Sequence, residues 1–264
     1  MDNIIKISNL NKDFKALKRR NAFVNLFSRK YTIVKALNKI NLEIKEGEFI
    51  GIVGPNGAEK STLIKVMTGI LTPSSGEVNV LDLIPYKNRQ EYSKNIGVVF
   101  GQRTQLWWDL PTRNSFDLLK AVYNIPDEIF KENMTTFENI LGIDKYLNTP
   151  VRKLSLGERM RCDLAASLLH NPKIVFLDEP TIGLDVEAKH KIREFLKDLN
   201  RKGTTIILTT HDMGDIEELC KRIVIIDKGK KIYDGLINEI RKRFGKERVL
   251  VIDFHKEVNK KDLG

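Results

Sequence analysis

The sequence predicts an α/β fold in which a mostly parallel sheet is flanked by helices. Two observations lead to this prediction: short apolar segments with strand character recur along the chain, and helical patterns alternate with the later ones. Such alternation is typical of parallel strands joined by crossover helices. The strand-like segments fall at residues 4–7, 40–44, 49–53, 96–100, 174–177, 205–210 and 223–227.

An interruption in this alternation predicts an inserted helical lobe. Between Arg103 and Leu154 the strand signals stop, and residues 115–123 and 127–141 have the apolar spacing of helices. We therefore expect a helical subdomain at about residues 103–165 within the α/β core.

The domain organisation follows from these elements. We expect one domain over residues 1–245 and a C-terminal extension over residues 246–264. The extension begins with strand-like residues 249–252 and continues with polar ones, so it resembles the start of an element that the sequence does not complete.

Composition limits the partners and the compartment. The 264 residues include 45 lysines and arginines against 35 aspartates and glutamates, a formal net charge of +10. This charge suits nucleic acid, an anionic membrane surface or a nucleotide, and does not choose among them. The apolar runs are far shorter than the ~20 residues of a membrane-spanning helix, and the N-terminus lacks a signal-peptide pattern. Cys162 and Cys220 form neither a disulfide framework nor a metal pattern, which favours a reducing cytoplasm.

A basic, amphipathic segment at residues 18–30 has two interpretations. It contains Lys18-Arg19-Arg20, several large apolar residues and Arg29-Lys30. Such a segment is either a helix that lies on a membrane surface or a surface insertion that packs on its own domain.

The most informative motif is a phosphate-binding loop between a buried strand at residues 49–53 and a helix expected at residues 61–70. Glycines let consecutive backbone N–H groups turn toward phosphates, a lysine reaches the terminal phosphates, and a hydroxyl ligates magnesium. The loop reads Gly54-Pro55-Asn56-Gly57-Ala58-Glu59-Lys60-Ser61-Thr62.

Glu59 stands where the pattern has its last glycine. If the loop needs a positive φ at this position, a non-glycine residue costs roughly 1–2 kcal/mol. A carboxylate about 4 Å from a phosphate oxygen adds repulsion of up to roughly 4 kcal/mol, unless its side chain turns to solvent. We therefore expect nucleotide binding to be weakened, since about 1.4 kcal/mol is a factor of ten in affinity.

Two adjacent carboxylates, Asp178 and Glu179, end the apolar strand at residues 174–177. At the carboxyl end of a strand, Asp178 can hold magnesium through water and Glu179 can polarise an attacking water as general base. Two solvated acids are the simpler interpretation of this octapeptide alone, but the nearby phosphate loop favours the catalytic one.

Four motifs together resemble, in order and spacing, the nucleotide-binding subunit of ATP-binding cassette (ABC) transporters. The resemblance extends over roughly residues 4–235. It implies a P-loop NTPase fold in which an antiparallel β lobe and a helical subdomain accompany the core sheet, and it implies ATP hydrolysis with Mg2+. The motifs are the loop at Gly54, Leu154-Ser155-Leu156-Gly157-Glu158, Asp178-Glu179-Pro180-Thr181 and Thr210-His211-Asp212.

The resemblance also implies roles at the nucleotide. Lys60 would bind the β and γ phosphates, Ser61 and Asp178 would ligate magnesium with Thr62 beside them, and Glu179 would be the general base. His211 would contact the γ-phosphate and stabilise the transition state.

Further implied roles concern contacts with partners. Gln102 falls where the family has a glutamine that senses both magnesium and the permease. Asp185, in Gly183-Leu184-Asp185, matches a loop that crosses to the partner subunit. Ser155 and Gly157 would reach the γ-phosphate bound on a second nucleotide-binding subunit.

The signature segment departs from the usual Leu-Ser-Gly-Gly-Gln of the family at Leu156 and Glu158. The spacing Ser155-x-x-Glu158 also predicts a capping box at the start of a helix. Both interpretations can hold together, because a capped helix N-terminus is also an anion site.

The family stacks an aromatic residue on adenine ahead of the loop. Tyr31, five residues before Ala36-Leu37, has the expected spacing and is favoured over Phe14.

The segments around Gln102 and Ser155 are similar to ATPases of ABC-2 type exporters, including viologen exporters. The expected partners are therefore a separate ABC-2 type permease and a second nucleotide-binding subunit, at the cytoplasmic face of the membrane. Trp107 and Trp108 either line the groove for the permease or pack within the helical lobe. The alternatives are a regulatory subunit impaired by Glu59 and, less favoured, a soluble ATPase that acts on nucleic acid.

Overall fold

The structure, a computed structural model, describes residues 3–17, 31–101 and 103–244. The basic segment at residues 18–30, Gln102 and the extension at residues 246–264 lie outside the described residues. Across the described helices, none combines the length and the apolar character that crossing a membrane requires.

Nine strands and eight α-helices make up the described chain. The strands are β1 (Asn3–Leu17), β2 (Tyr31–Lys45), β3 (Phe49–Val53), β4 (Ser75–Val80), β5 (Ile96–Phe100), β6 (Ile174–Asp178), β7 (Thr205–Thr210), β8 (Arg222–Asp227) and β9 (Lys230–Leu236). The helices are α1 (Lys60–Met67), α2 (Arg89–Ser93), α3 (Thr112–Val122), α4 (Asp127–Leu141), α5 (Leu156–Leu168), α6 (Val186–Arg201), α7 (Met213–Leu219) and α8 (Ile237–Phe244). Two short 3-10 helices, Asp144–Tyr146 and Val151–Lys153, precede α5.

The main sheet has six strands in the order β5-β6-β7-β3-β8-β9. The first five are parallel, and only the edge strand β9 is antiparallel. This confirms the predicted parallel core sheet. Its central strands are buried on both faces, which is why they are continuous apolar runs in the sequence.

A second, antiparallel sheet has the order β2-β1-β4 and forms the β lobe that the resemblance implies. β1 and β2 are much longer than the segments predicted at residues 4–7 and 40–44. The start of β2, Tyr31 to Lys35, is exposed although Tyr31, Ile33 and Val34 are apolar, so this end of the strand is formed by pairing with β1 rather than by burial.

Two strands, β4 and β9, are missing from the sequence-based prediction. β4 begins with three exposed residues, and β9 exposes three and leaves the others only partly buried. Both strands lie at a sheet edge. There, backbone hydrogen bonds to one neighbouring strand can form a strand even when its side chains show no strong apolar pattern.

The helical lobe lies between β5 and β6 and contains α3, α4 and α5. Helix α4 spans the predicted residues 127–141, and α3 begins three residues before its predicted start. Helix α1 ends at Met67 rather than at residue 70, because Gly69 takes a left-handed conformation with φ 75°.

Two hydrophobic cores lie on opposite faces of the main sheet. Alternate residues of one strand point to opposite sides, so Val175 of β6 packs with the helical lobe and Phe176 packs toward α1 and the antiparallel sheet. This double support fixes the carboxyl end of the sheet, where the loops that follow β3, β6 and β7 meet.

Candidate functional site

The candidate site is a cavity at the carboxyl edge of the main sheet. Strands β3, β6 and β7 are parallel neighbours, and their ends are in register, with Val53 beside Thr210 and Asp178 beside Thr209. The segments that follow these strands therefore converge. The cavity has a volume of about 540 Å3 and is lined by the loop at residues 56–62 together with Asp178 and Glu179.

Lys60 is held inside the phosphate loop. Its side chain is only 6% exposed, and its Nζ donates to the carbonyl oxygens of Gly54 (2.8 Å) and Pro55 (3.2 Å). Gly57 has φ 79°, a conformation that glycine adopts without strain. A loop in which a buried ammonium group and helix N–H groups face one cavity suits a phosphate chain.

Glu59 has the left-handed conformation that makes its replacement of glycine costly. Its φ is 75° and its ψ is 25°, and it is the N-cap residue of α1. Its side chain does not turn away from the loop, because its Oε2 accepts a 2.6 Å hydrogen bond from the Thr62 hydroxyl. Glu59 is one of the residues that line the cavity, and this hydrogen bond holds its carboxylate at the first turn of α1.

Ser61 and Asp178 meet beside the loop. The Ser61 hydroxyl donates to Asp178 Oδ1 at 3.0 Å, and the Thr209 hydroxyl donates to the same oxygen. A hydroxyl and a carboxylate oxygen at a phosphate cavity are the hard oxygen ligands that Mg2+ prefers. The residues present therefore fit a magnesium ion, and Thr209 is a contact that sequence reasoning missed.

Glu179 and His211 form a pair across the ends of β6 and β7. His211 Nδ1 lies 3.2 Å from Glu179 Oε1, and Lys60 Nζ lies 4.0 Å from the same oxygen. Glu179 has φ 54°, and its amide donates to Thr209 O at 2.9 Å. A left-handed, non-glycine backbone of this kind is strain that surrounding structure must hold in place.

The signature segment begins helix α5 with the predicted capping box, which is confirmed. The Ser155 hydroxyl accepts from the Glu158 amide, and Glu158 Oε2 accepts from the Ser155 amide at 2.8 Å. The latter hydrogen bond lowers the pKa of the Glu158 carboxyl below its usual value. A β-carbon on Gly157 would lie 3.5 Å from Ala188, so this turn packs on the start of α6.

Helix α6 begins at the third predicted partner-contact residue. Asp185 is its N-cap, with a side chain that accepts from the Ala188 amide at 2.7 Å. Within the described part of the chain, Ser155, Gly157 and Asp185 do not line the cavity that holds Lys60 and Glu179.

The two candidate adenine-stacking residues lie on opposite faces of the β1–β2 hairpin. Phe14 pairs with Val34, and Leu17 pairs with Tyr31, with no bulge between these pairs. Because side chains alternate along a strand, Tyr31 and Phe14 point to opposite sides. Both are exposed, Tyr31 at 52% and Phe14 at 39%, and neither lines the cavity.

Trp107 and Trp108 are half exposed on the helical lobe, at 43% and 49%. Arg159 lies over the Trp108 ring at 5.6 Å, and the Trp107 amide donates to the Ser115 hydroxyl. Leu110 is exposed to a similar extent. The backbone is thus fixed within the lobe while the indole rings remain open to solvent.

Asp163 of α5 holds the segment that follows Gln102. Its Oδ1 accepts from the Thr104 hydroxyl (2.8 Å) and the Gln105 amide (3.0 Å). Burial raises its pKa to about 6. Sequence reasoning assigned this residue no role, because its partners come from a distant segment.

Comparisons with known proteins agree with this geometry. A family model described as "ABC transporter" matches residues 37–182, more than half of the chain. The chain belongs to the ABC transporter family. It is an ATP-binding and ATP-hydrolysing subunit of that family.

Two curated relatives from Bacillus subtilis are similar over most of their length. The ABC transporter ATP-binding protein NatA is 32% identical over 81% of this chain and 87% of its own. The linearmycin resistance ATP-binding protein LnrL is 32% identical over 84% of this chain and 70% of its own.

Solved structures share the fold. An ATP-binding subunit of an ABC transporter has a TM-score of 0.77 at 21% identity, covering 92% of this chain and 93% of its own. A dimeric ATP-binding cassette in a post-hydrolysis state with ADP and Pi has a TM-score of 0.73 at 28% identity, covering 88% of this chain and 98% of its own.

Proposed function

We propose that this chain is the ATPase subunit that energises an ABC-2 type export permease, as one half of a head-to-tail dimer of nucleotide-binding subunits. The observation that carries this proposal is the cavity that brings Lys60, the Ser61–Asp178 pair and Glu179 together, with His211 3.2 Å from the Glu179 carboxylate. The names of NatA and LnrL, an ABC transporter protein and a resistance protein, support export as the task.

In this proposal, ATP lies along the phosphate loop. Lys60 would hold the β and γ phosphates, and the N-terminus of α1 would add N–H groups, which favour bound anions. Ser61 and Asp178 would hold Mg2+, with Gln102 as a further ligand, and the ion supplies charge neutralisation on the phosphate oxygens when bound.

Glu179 would orient and polarise the attacking water as general base. Its Oε1 lies at the cavity and is kept near His211. His211 would hold Glu179 in place and contact the γ-phosphate. Positioning and preorganised charge then supply most of the acceleration.

The same proposal explains why Ser155, Gly157 and Asp185 stand outside their own cavity. They would act on the nucleotide of the second subunit, which the capped N-terminus of α5 would face with its N–H groups. The dimeric cassette among the solved relatives supports this arrangement.

For the adenine ring we propose Tyr31, with Phe14 as the alternative. Since the two lie on opposite faces of the hairpin, one ring at most can stack on the base. Replacing each by alanine and titrating ATP decides between them, and an unchanged affinity in Tyr31→Ala would contradict the first choice.

The partner and the location complete the proposal. We propose that Trp107, Trp108 and Leu110, exposed on the helical lobe, receive the permease at the cytoplasmic face of the membrane. Residues 1–245 would act as one domain with a helical subdomain at about residues 103–165. No specific nucleic acid is needed.

The test is the variant Glu179→Gln, which keeps the shape of the side chain and removes the base. We expect ATP hydrolysis to fall by at least about a hundredfold, while nucleotide binding persists and MgATP produces a dimer in size-exclusion chromatography. Glu187→Gln, an exposed acid of α6, is the matched control and should hydrolyse at the parental rate. A Glu179→Gln variant as fast as the parent would remove Glu179 from the base role.

One observation favours a second candidate, a regulatory subunit that docks on the permease without turnover. Glu59 combines a left-handed backbone with a carboxylate in the cavity lining. ATPase assays of the parent and of Glu59→Gly separate the candidates. Turnover in the parent contradicts the regulatory one, and turnover restricted to the glycine variant supports it.

A further inference from the structure

A buried carboxylate outside the predicted motifs lies behind the catalytic edge of the sheet. Asp215 of α7 is 0% exposed. Burying an ionised group is costly unless it is paired and hydrogen-bonded. The hydrogen-bond and ion-pair partners of Asp215 therefore indicate its role.

One oxygen of Asp215 joins the turn that follows Glu179 to the end of β7, which precedes His211. Asp215 Oδ2 accepts a short hydrogen bond from the Thr181 hydroxyl and a longer one, 3.4 Å, from the Thr210 hydroxyl. Thr181 lies two residues after Glu179, and Thr210 directly precedes His211. One carboxylate oxygen thus ties the segment after the proposed base to the residue before its histidine, in addition to the backbone pairing of β6 with β7.

The other oxygen is held by α6. Arg193 donates to Asp215 Oδ1 through Nε at 2.7 Å and through Nη2 at 2.5 Å. Arg193 is itself only 17% exposed. Two guanidinium N–H groups on one carboxylate give a directional contact as well as an attractive one.

This ion pair is the buried centre of a ladder between α6 and α7. On one side, Lys189 bridges to Asp212 at 2.6 Å. On the other, Arg193 and Lys197 both bridge to Glu218, at 2.9 and 2.8 Å. The three cations are spaced four residues apart on α6, so they present one face to the acids of α7.

We propose that Asp215 and Arg193 are a positioning pair for ATP hydrolysis: they hold Glu179 and His211 at hydrogen-bond distance and tie that spacing to α6. This inference rests on the proposed function. The N-cap of helix α6 is Asp185, the proposed contact with the second subunit. Closure of the dimer would therefore act on the Glu179–His211 pair through a rigid helix and one ion pair, rather than through the loop alone.

The test separates positioning from folding by comparing turnover with binding. Asp215→Asn keeps the shape but places an amide where one carboxylate oxygen accepts hydrogen bonds. We expect kcat for ATP to fall by at least about tenfold, while the Kd for ATP changes less than about twofold. Lys191→Gln, an exposed cation of α6 that pairs with Glu187, is the control and should leave both unchanged.

A second variant keeps the inference testable if Asp215→Asn does not fold. Thr181→Val removes one hydroxyl and leaves the ion pair intact. We therefore expect a folded protein whose kcat for ATP is lowered and whose Kd for ATP is unchanged. Parental kcat in Thr181→Val, or a loss of binding as large as the loss of turnover, overturns the inference. If neither the parent nor Glu59→Gly hydrolyses ATP, the proposed function itself is overturned.

Discussion

Glu59 shows how one residue can affect stability and binding separately. Its left-handed backbone belongs to the folded loop, so the conformational cost lowers the free energy of unfolding. Its carboxylate, held by the Thr62 hydroxyl, lies in the cavity lining and acts on a phosphate chain by repulsion. The backbone cost is therefore measured as folding stability, and the repulsion is measured as ATP affinity.

Glu59→Gly should therefore raise both the free energy of unfolding and the affinity for ATP. We expect the free energy of unfolding to rise by about 1 kcal/mol, and ATP to bind at least about tenfold more tightly. Chemical denaturation and calorimetric titration measure them. Glu59→Gln is the matched control, because it removes the charge but keeps a side chain at φ 75°, so its gain should be in affinity alone. Equal ATP affinities in all three proteins would show that the repulsion is negligible.

At the scale of elements, the helical lobe is joined to the cavity edge by hydrogen bonds that cross between segments. Asp163 of α5 binds Thr104 and Gln105, which follow the position of Gln102. The same helix carries Ser155 at its start. Helix α5 therefore connects the signature segment to the chain after β5, which leads to the exposed tryptophans.

The burial of Asp163 predicts a pH-dependent stability. Its pKa is raised from 3.8 to about 6 by desolvation, so the folded state binds more protons than the unfolded state between these values. Its contribution to stability is complete below pH 4 and is lost as the pH rises through 6. As the pH rises through this range, we expect the free energy of unfolding of Asp163→Asn to increase relative to that of the parent by about 3 kcal/mol.

Denaturant titrations of the parent and of Asp163→Asn at several pH values between 4 and 7 measure this difference. Asp144→Asn, at a 3-10 helix of the same lobe whose side chain is exposed, is the control. A stability difference for Asp163→Asn that does not depend on pH would show that this carboxyl titrates as it does in the unfolded chain.

At the scale of the whole molecule, the proposed function assigns two of the described surfaces to partners. It gives the phosphate loop, Ser155 and Asp185 to a second nucleotide-binding subunit. It gives the exposed indoles of Trp107 and Trp108 to the membrane subunit, because aromatic anchors of this size dominate binding energy where they are buried at an interface.

Trp108→Ala should lower the affinity for the membrane partner by at least about thirtyfold, which co-purification would detect as loss of the partner. ATP hydrolysis by the isolated chain should not change, since the ring does not line the nucleotide cavity. Ile232→Ala, an apolar residue of β9 that is 63% exposed, is the control. Retention of the partner by Trp108→Ala at the parental level would place the docking surface elsewhere.

The sequence predicts those elements whose position is set by local residues or by an apolar run that marks burial. The core strands are apolar runs because both faces of a parallel sheet are covered, and the capping box at Ser155 is set by residues three apart. Strands β4 and β9 were missed, because backbone pairing at a sheet edge leaves little trace in side-chain pattern.

The sequence by itself determined the family, the phosphate loop and the order of the motifs along the chain, because each motif is a short stretch whose chemistry is local. Only the tertiary structure decided that Glu179 lies beside His211 and that Asp215 joins Thr181, Thr210 and Arg193. The physical reason is that these contacts join residues far apart in the chain. Parallel strand pairing brings them together, and no local pattern of side chains encodes which strands become neighbours.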